Sequence, residues 1–110
     1  KLNVPKGLKL IEPLGYLDFL KLEANAKLIL TDSGGIQEES CILKVPCVTL
    51  RDNTERPETL EVGSNILTGA DSQRILKSVY KVLNKKRNWK NPFGNGRAGE
   101  KIINILVKYL

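Results

Sequence analysis

The chain has 110 residues, enough for one core, and 41% hydrophobic content with only two Phe, one Trp and three Tyr predicts an aliphatic αβ interior. Its net charge of +6 comes from 18 basic and 12 acidic residues, a balance compatible with an anionic partner. No histidine is present, which excludes a His-based catalytic triad and a His-bearing zinc site.

Taken in order, Lys1 to Gly7 reads as a linker from a preceding domain, and residues 8–110 read as the domain itself. Leu8-Lys9-Leu10-Ile11 predicts a short strand ended by Glu12-Pro13. Gly15 to Ala26 predicts an amphipathic helix with Tyr16, Phe19, Leu20 and Leu22 on one side. Leu28 to Thr31 is a second strand, and Ile36 to Leu43 a helix with Ile36, Ser40 and Leu43 at helical spacing. Pro46 to Leu50 gives a third strand opened by proline, and Pro57 opens a short helix to Val62 that Gly63 closes. Asn65 to Thr68 is a fourth strand. Asp71 or Ser72 then caps a helix over Gln73 to Leu83 with Ile75, Leu76, Val79, Val82 and Leu83 in one stripe. After a loop at Asn91-Pro92-Phe93-Gly94-Asn95-Gly96, a last helix runs from Ala98 to Leu110; its Ile102, Ile103, Ile105, Leu106 and Tyr109 call for a seat on the chain's own sheet or on another domain. The order predicts an α/β, Rossmann-like parallel sheet with helices on both faces.

Leu28 to Glu39 carries the candidate site. An apolar strand stops on Ser33-Gly34-Gly35, a turn with little side-chain bulk, and a helix begins there. Free N–H groups and the positive end of the helix dipole converge at that point, which is how backbone holds a phosphate. Glu39 follows Gly35 by one helical turn and leans back towards the mouth; a pair of sugar hydroxyls suits a carboxylate there better than a phosphate does. An ordinary strand-to-helix turn followed by a solvated glutamate is the plain alternative. Arg51 to Glu58 forms a charged loop beyond the next strand, at the same end of the sheet. Arg56 is selected as the diphosphate contact because Pro57 restrains the backbone after it, while Arg51, Glu55 and Glu58 serve equally well as loop ion pairs.

The remaining features are bland. Cys41 and Cys47 form no Cys-x-x-Cys pair and sit among apolar residues, so buried reduced thiols without a metal are expected. Lys77, Lys81, Lys85, Lys86, Arg87 and Lys90 concentrate the basic excess near one helix end without interleaved aromatics, which predicts a solvated face rather than a nucleic-acid site. No signal peptide or membrane span is legible, and a cytoplasmic protein without a membrane partner is expected.

Asp32 to Glu39, then Arg51 to Glu58, then Asn91 to Gly96, with Glu12-Pro13, Tyr16 and Phe19 upstream, resemble the non-hydrolysing UDP-N-acetylglucosamine 2-epimerases from about Leu8 to the end. The resemblance implies the C-terminal half of a two-domain architecture shared with B-type glycosyltransferases, and an activity that interconverts UDP-N-acetylglucosamine and UDP-N-acetylmannosamine by eliminating and re-adding UDP. It implies that Ser33, Gly34 and Gly35 hold the diphosphate, Glu39 the ribose, Arg56 the phosphate region, and that Phe19 lies along the uracil. No further cofactor is implied, the proton-transfer residues are expected in the N-terminal domain, and this chain alone is expected to bind UDP without turnover. A place in polysaccharide biosynthesis is implied, with the particular polysaccharide and a homodimer of the full-length protein left open. Leu14 departs from the glutamine expected in bacterial relatives and places one contact near the base in question. A B-type glycosyltransferase and a non-catalytic nucleotide-sugar module are the rival readings.

Overall fold

The computed structural model describes residues 3–110; Lys1 and Leu2, the start of the expected linker, lie outside the described residues. Eight elements follow in the order α1 (Tyr16–Ala24), β1 (Ile29–Thr31), α2 (Gly34–Ile42), β2 (Cys47–Thr49), α3 (Pro57–Glu61), β3 (Asn65–Leu67), α4 (Ser72–Leu83) and α5 (Ala98–Tyr109). The strands form one parallel sheet with β2 in the middle, in register Ile29 to Cys47 to Asn65 and Thr31 to Thr49 to Leu67. Parallel neighbours need crossovers, and α2 and α3 supply them. Alternate residues of a strand face opposite ways, yet Cys47, Val48 and Thr49 are all fully buried, so both faces of β2 are covered.

Local chemistry sets the element ends. Asp71 accepts hydrogen bonds from the amides of Gln73 and Arg74 at 2.9 and 3.1 Å and starts α4. At the other end of α2, Lys44 turns left-handed at φ 63°, and the amides of Lys44 and Val45 return to the carbonyls of Cys41 and Ser40, which drops the chain directly into β2. Trp89, buried after α4, donates its indole N–H to the Cys41 carbonyl at 2.9 Å, and Lys44 lies 5.8 Å from its ring centroid. The segment after α4 is thereby strapped over the end of α2.

Two expectations, for Leu8 to Ile11 and for α1, change, and two others, for the basic run and α5, gain detail. Leu8 to Ile11 is irregular and exposed, Leu10 to 75%, because a strand exists only where a neighbour satisfies its backbone, and among the described residues no strand pairs with the outer edge of β1. On α1, Tyr16 and Leu22 are exposed, Phe19 and Leu20 half-buried, and the fully buried side chain is Glu23 at 4% exposure. Within the basic run, Lys85 bonds to the Gly63 carbonyl and Arg87 donates to the Lys27 carbonyl at 2.7 Å, so two of its cations tie distant turns together. Finally, every residue of α5 is exposed, so its apolar stripe finds no seat on this sheet. No described helix is long and apolar enough to cross a membrane.

Candidate functional site

Beyond the carboxyl end of β1, the Ser33 amide donates to Thr31 Oγ1 at 3.1 Å, and Ser33 Oγ caps α2 by accepting from the Ile36 amide at 3.4 Å. Between them, the amides of Gly34 and Gly35 have no acceptor among the described residues. These two donors point out of the first turn of a nine-residue helix, where its dipole is positive. The glycines differ in surroundings: a Cβ on Gly34 would collide with the Glu55 carboxylate, whereas one on Gly35 would meet only Ser33 Oγ at 4.0 Å. Gly35 is open and Gly34 is covered by the exposed Glu55 side chain.

The loop between β2 and α3 supplies that cover. Arg51 pairs with Glu55 at 3.2 Å and donates to Asn53 at 3.1 Å, as the loop-shaping alternative predicts for these two charges. Arg56 reaches across to α2, where its Nε forms an ion pair with Glu38, and its Nη1 donates to the Glu55 carbonyl at 3.1 Å. The guanidinium and the Ser33-Gly34-Gly35 turn therefore share one corner, joined through Glu38 and Glu55. The Glu55 carboxylate lies against Gly34, and Glu38 holds Arg56.

A buried polar network, not visible in the sequence, fixes the loop. Gln37, fully buried on α2, accepts through Oε1 from Thr54 Oγ1 at 2.5 Å and from Asn65 Nδ2 at 3.1 Å. Asn65 also donates to Thr59 Oγ1 at 3.1 Å and accepts from Thr49 Oγ1 at 2.6 Å. Thr59 in turn donates to the Arg56 carbonyl at 2.7 Å, while Thr54 Oγ1 accepts from the Arg56 amide at 3.0 Å. Both peptide groups of Arg56 are thus anchored to hydroxyls tied into the sheet, which fixes where its side chain starts. The buried face of α2 is Gln37, Ser40 and Cys41, with Ile36 and Leu43 only half-buried; the polar spacing rather than the apolar one points inward.

A groove of about 290 Å³ runs between α1 and β1, lined by Phe19, Leu22, Ala26, Leu28, Leu30 and Ile36, with Glu23 and Thr31 as its polar members. Phe19 thereby lines the same groove as Thr31 and Ile36, which precede and follow the Ser33 turn in the chain. Glu39 is half-buried and faces Glu23. Burial, together with that neighbouring carboxylate, pushes the Glu23 carboxyl up to about 7, and burial pushes the Cys47 thiol up. Both cysteines are free and buried, and among the described residues no group of acidic and thiol side chains is clustered to hold a metal.

A family model for UDP-N-acetylglucosamine 2-epimerase matches residues 1–107. The chain belongs to this family. Among the epimerases, that of Methanocaldococcus jannaschii is 69% identical over 107 residues, which is 97% of this chain and 29% of the relative. The crystal structure of the M. jannaschii enzyme in complex with UDP-GlcNAc and UDP superimposes with a TM-score of 0.86 over 94% of this chain and 28% of that one. A Neisseria meningitidis epimerase structure bound to UDP-GlcNAc matches at 41% identity and a TM-score of 0.75, over 89% of this chain and 28% of that one. The chain thus spans less than a third of the length of the epimerases it matches, and its α/β fold is theirs over that stretch.

Proposed function

We propose that this chain forms the diphosphate corner of an epimerase that interconverts UDP-N-acetylglucosamine and UDP-N-acetylmannosamine. The observation that carries the reading is the pair of unpartnered amides at Gly34 and Gly35, opening onto the loop that anchors Arg56. In this reading the amides, with Ser33 holding the turn, take the diphosphate, Arg56 adds a charge-assisted contact, Glu39 accepts from the ribose hydroxyls and Phe19 lies along the uracil.

Elimination removes the C2 proton as the C1–O bond breaks, and the bonding electrons leave on UDP. Charge therefore grows on the diphosphate, where fixed amides and a guanidinium stabilise the transition state more than the ground state. Proton transfer at C2 falls to residues beyond this chain, within a cytoplasmic full-length protein feeding polysaccharide synthesis, with residues 8–110 as part of its UDP-binding domain and a homodimer as its assembly.

Incubating the full-length protein with UDP-N-acetylglucosamine in deuterated water tests this directly. Deuterium at C2 and appearance of the manno epimer are expected. Transfer of the sugar to an acceptor without C2 exchange would overturn the reading in favour of a glycosyltransferase, and release of free N-acetylmannosamine in favour of a hydrolysing enzyme.

A further inference from the structure

Glu23 has no place in the scheme above, yet it is the most buried side chain of α1. Both of its carboxylate oxygens are buried and neither has a hydrogen-bond donor among the described residues. The groups that face it are the Glu39 carboxylate from α2 and the Cys47 thiol from β2, while Phe19 and Leu20, one turn back along α1, are apolar. A buried carboxylate with no cation and a second carboxylate beside it is a strongly disfavoured arrangement unless a proton sits between the two. With that proton Glu23 becomes a hydroxyl donor, and Glu39, less buried, is an acceptor facing it.

We propose that protonated Glu23 is a positioning residue for Glu39: it donates to one oxygen of the Glu39 carboxylate and leaves the other directed at the nucleotide's ribose hydroxyls. This inference rests on the assignment of Glu39 to the ribose and adds a proton requirement to it. When the shared proton is lost, two like charges face each other in a site with little water, and Glu39 is driven from the orientation that receives the ribose. Nucleotide affinity therefore falls as pH rises through about 7, the range to which the Glu23 carboxyl is raised. Cys47 contributes nothing to this response, since burial holds its thiol neutral there.

The test is calorimetric titration of the full-length protein with UDP-N-acetylglucosamine, whose diphosphate carries no group that ionises between pH 6 and 8. Between those limits the protonated fraction falls about tenfold, so Kd is expected to rise about tenfold. Glu23→Gln, whose amide remains a donor at any pH, is expected to bind like the parent at pH 6 and to show no rise at pH 8. Glu23→Leu is expected to bind weakly and equally at both. A parent profile that is flat, or a Glu23→Gln profile as steep as the parent's, would overturn the proposal, and so would equal affinities of the Gln and Leu variants at pH 6. Should Glu23→Leu fail to fold, the comparison of the parent with Glu23→Gln still decides. Glu39→Ala separates the two levels: unchanged affinity there removes the ribose assignment itself, whereas weakened affinity beside a flat parent profile removes only the role of Glu23.

Discussion

Asn65→Ala tests the buried network that anchors the loop. Asn65 is 4% exposed and holds three partners, but they do not suffer equally from its loss. Gln37 Oε1 keeps the Thr54 hydroxyl, and Thr59 keeps donating to the Arg56 carbonyl. Thr49 Oγ1 loses its acceptor and is left at zero exposure with only Cys47 Sγ at 3.7 Å. One stranded buried hydroxyl costs about 2 kcal/mol and two lost hydrogen bonds about 1 kcal/mol each, for a destabilisation of about 4 kcal/mol. Thr49→Val removes the stranded hydroxyl, so in the Asn65→Ala background it is expected to restore about 2 kcal/mol, while in the parent it destabilises. Urea unfolding of the four proteins of this cycle in the full-length background supplies the measurement. Additive effects would show that Thr49 and Asn65 act separately, and the account of a connected network would be wrong.

Arg56→Ala is expected to weaken UDP binding by about 2 kcal/mol, read by calorimetry; unchanged affinity would reassign Arg56 to pairing with Glu38 alone. Trp89→Phe removes the indole donor from the Cys41 carbonyl and is expected to cost about 1–2 kcal/mol in denaturant unfolding, without changing UDP affinity. The raised carboxyl of Glu23 gives a pH slope of definite sign. Between its ordinary value of 4.5 and about 7 the folded state holds a proton that the unfolded chain has released, so stability is full below 4.5 and declines as pH rises through that window. Glu23→Gln is expected to abolish this decline in unfolding measured from pH 4 to 8. Gly34→Ala is expected to leave stability nearly unchanged, because the exposed Glu55 side chain moves aside, while its methyl at the corner weakens UDP.

The three strands and five helices were legible because each is bounded by its own signal: Asp71 ahead of α4, Pro57 at the start of α3, and Ser33-Gly34-Gly35 between β1 and α2. Leu8 to Ile11 misled because apolar composition reports only a willingness to be buried, while pairing requires a neighbour. The site was legible in part. Backbone donors follow from a glycine turn, so the corner at Gly34 and Gly35 could be drawn in advance, but the Glu55 cover over Gly34 depends on a rotamer. The linkage of Gln37, Thr49 and Asn65 was not legible, since hydropathy alone says nothing about a polar group whose partner lies 28 positions away. Glu23 was hidden for the same reason: its helix pattern marks Phe19 and Leu20, and only the packing of α1 on α2 buries it.

The register of the sheet bears on how the chain reaches this state. Ile29 pairs with Cys47, and Cys47 with Asn65, so both crossovers step 18 residues along the chain. Closing either loop costs the same chain entropy, and neither seam has a head start. Side chains break the tie. The seam between β1 and β2 can condense with α2 alone, whereas that between β2 and β3 needs α2 and α3 both in place before Asn65 finds its partners. Truncating Ile29 is then expected to slow folding, and truncating Asn65 chiefly to hasten unfolding.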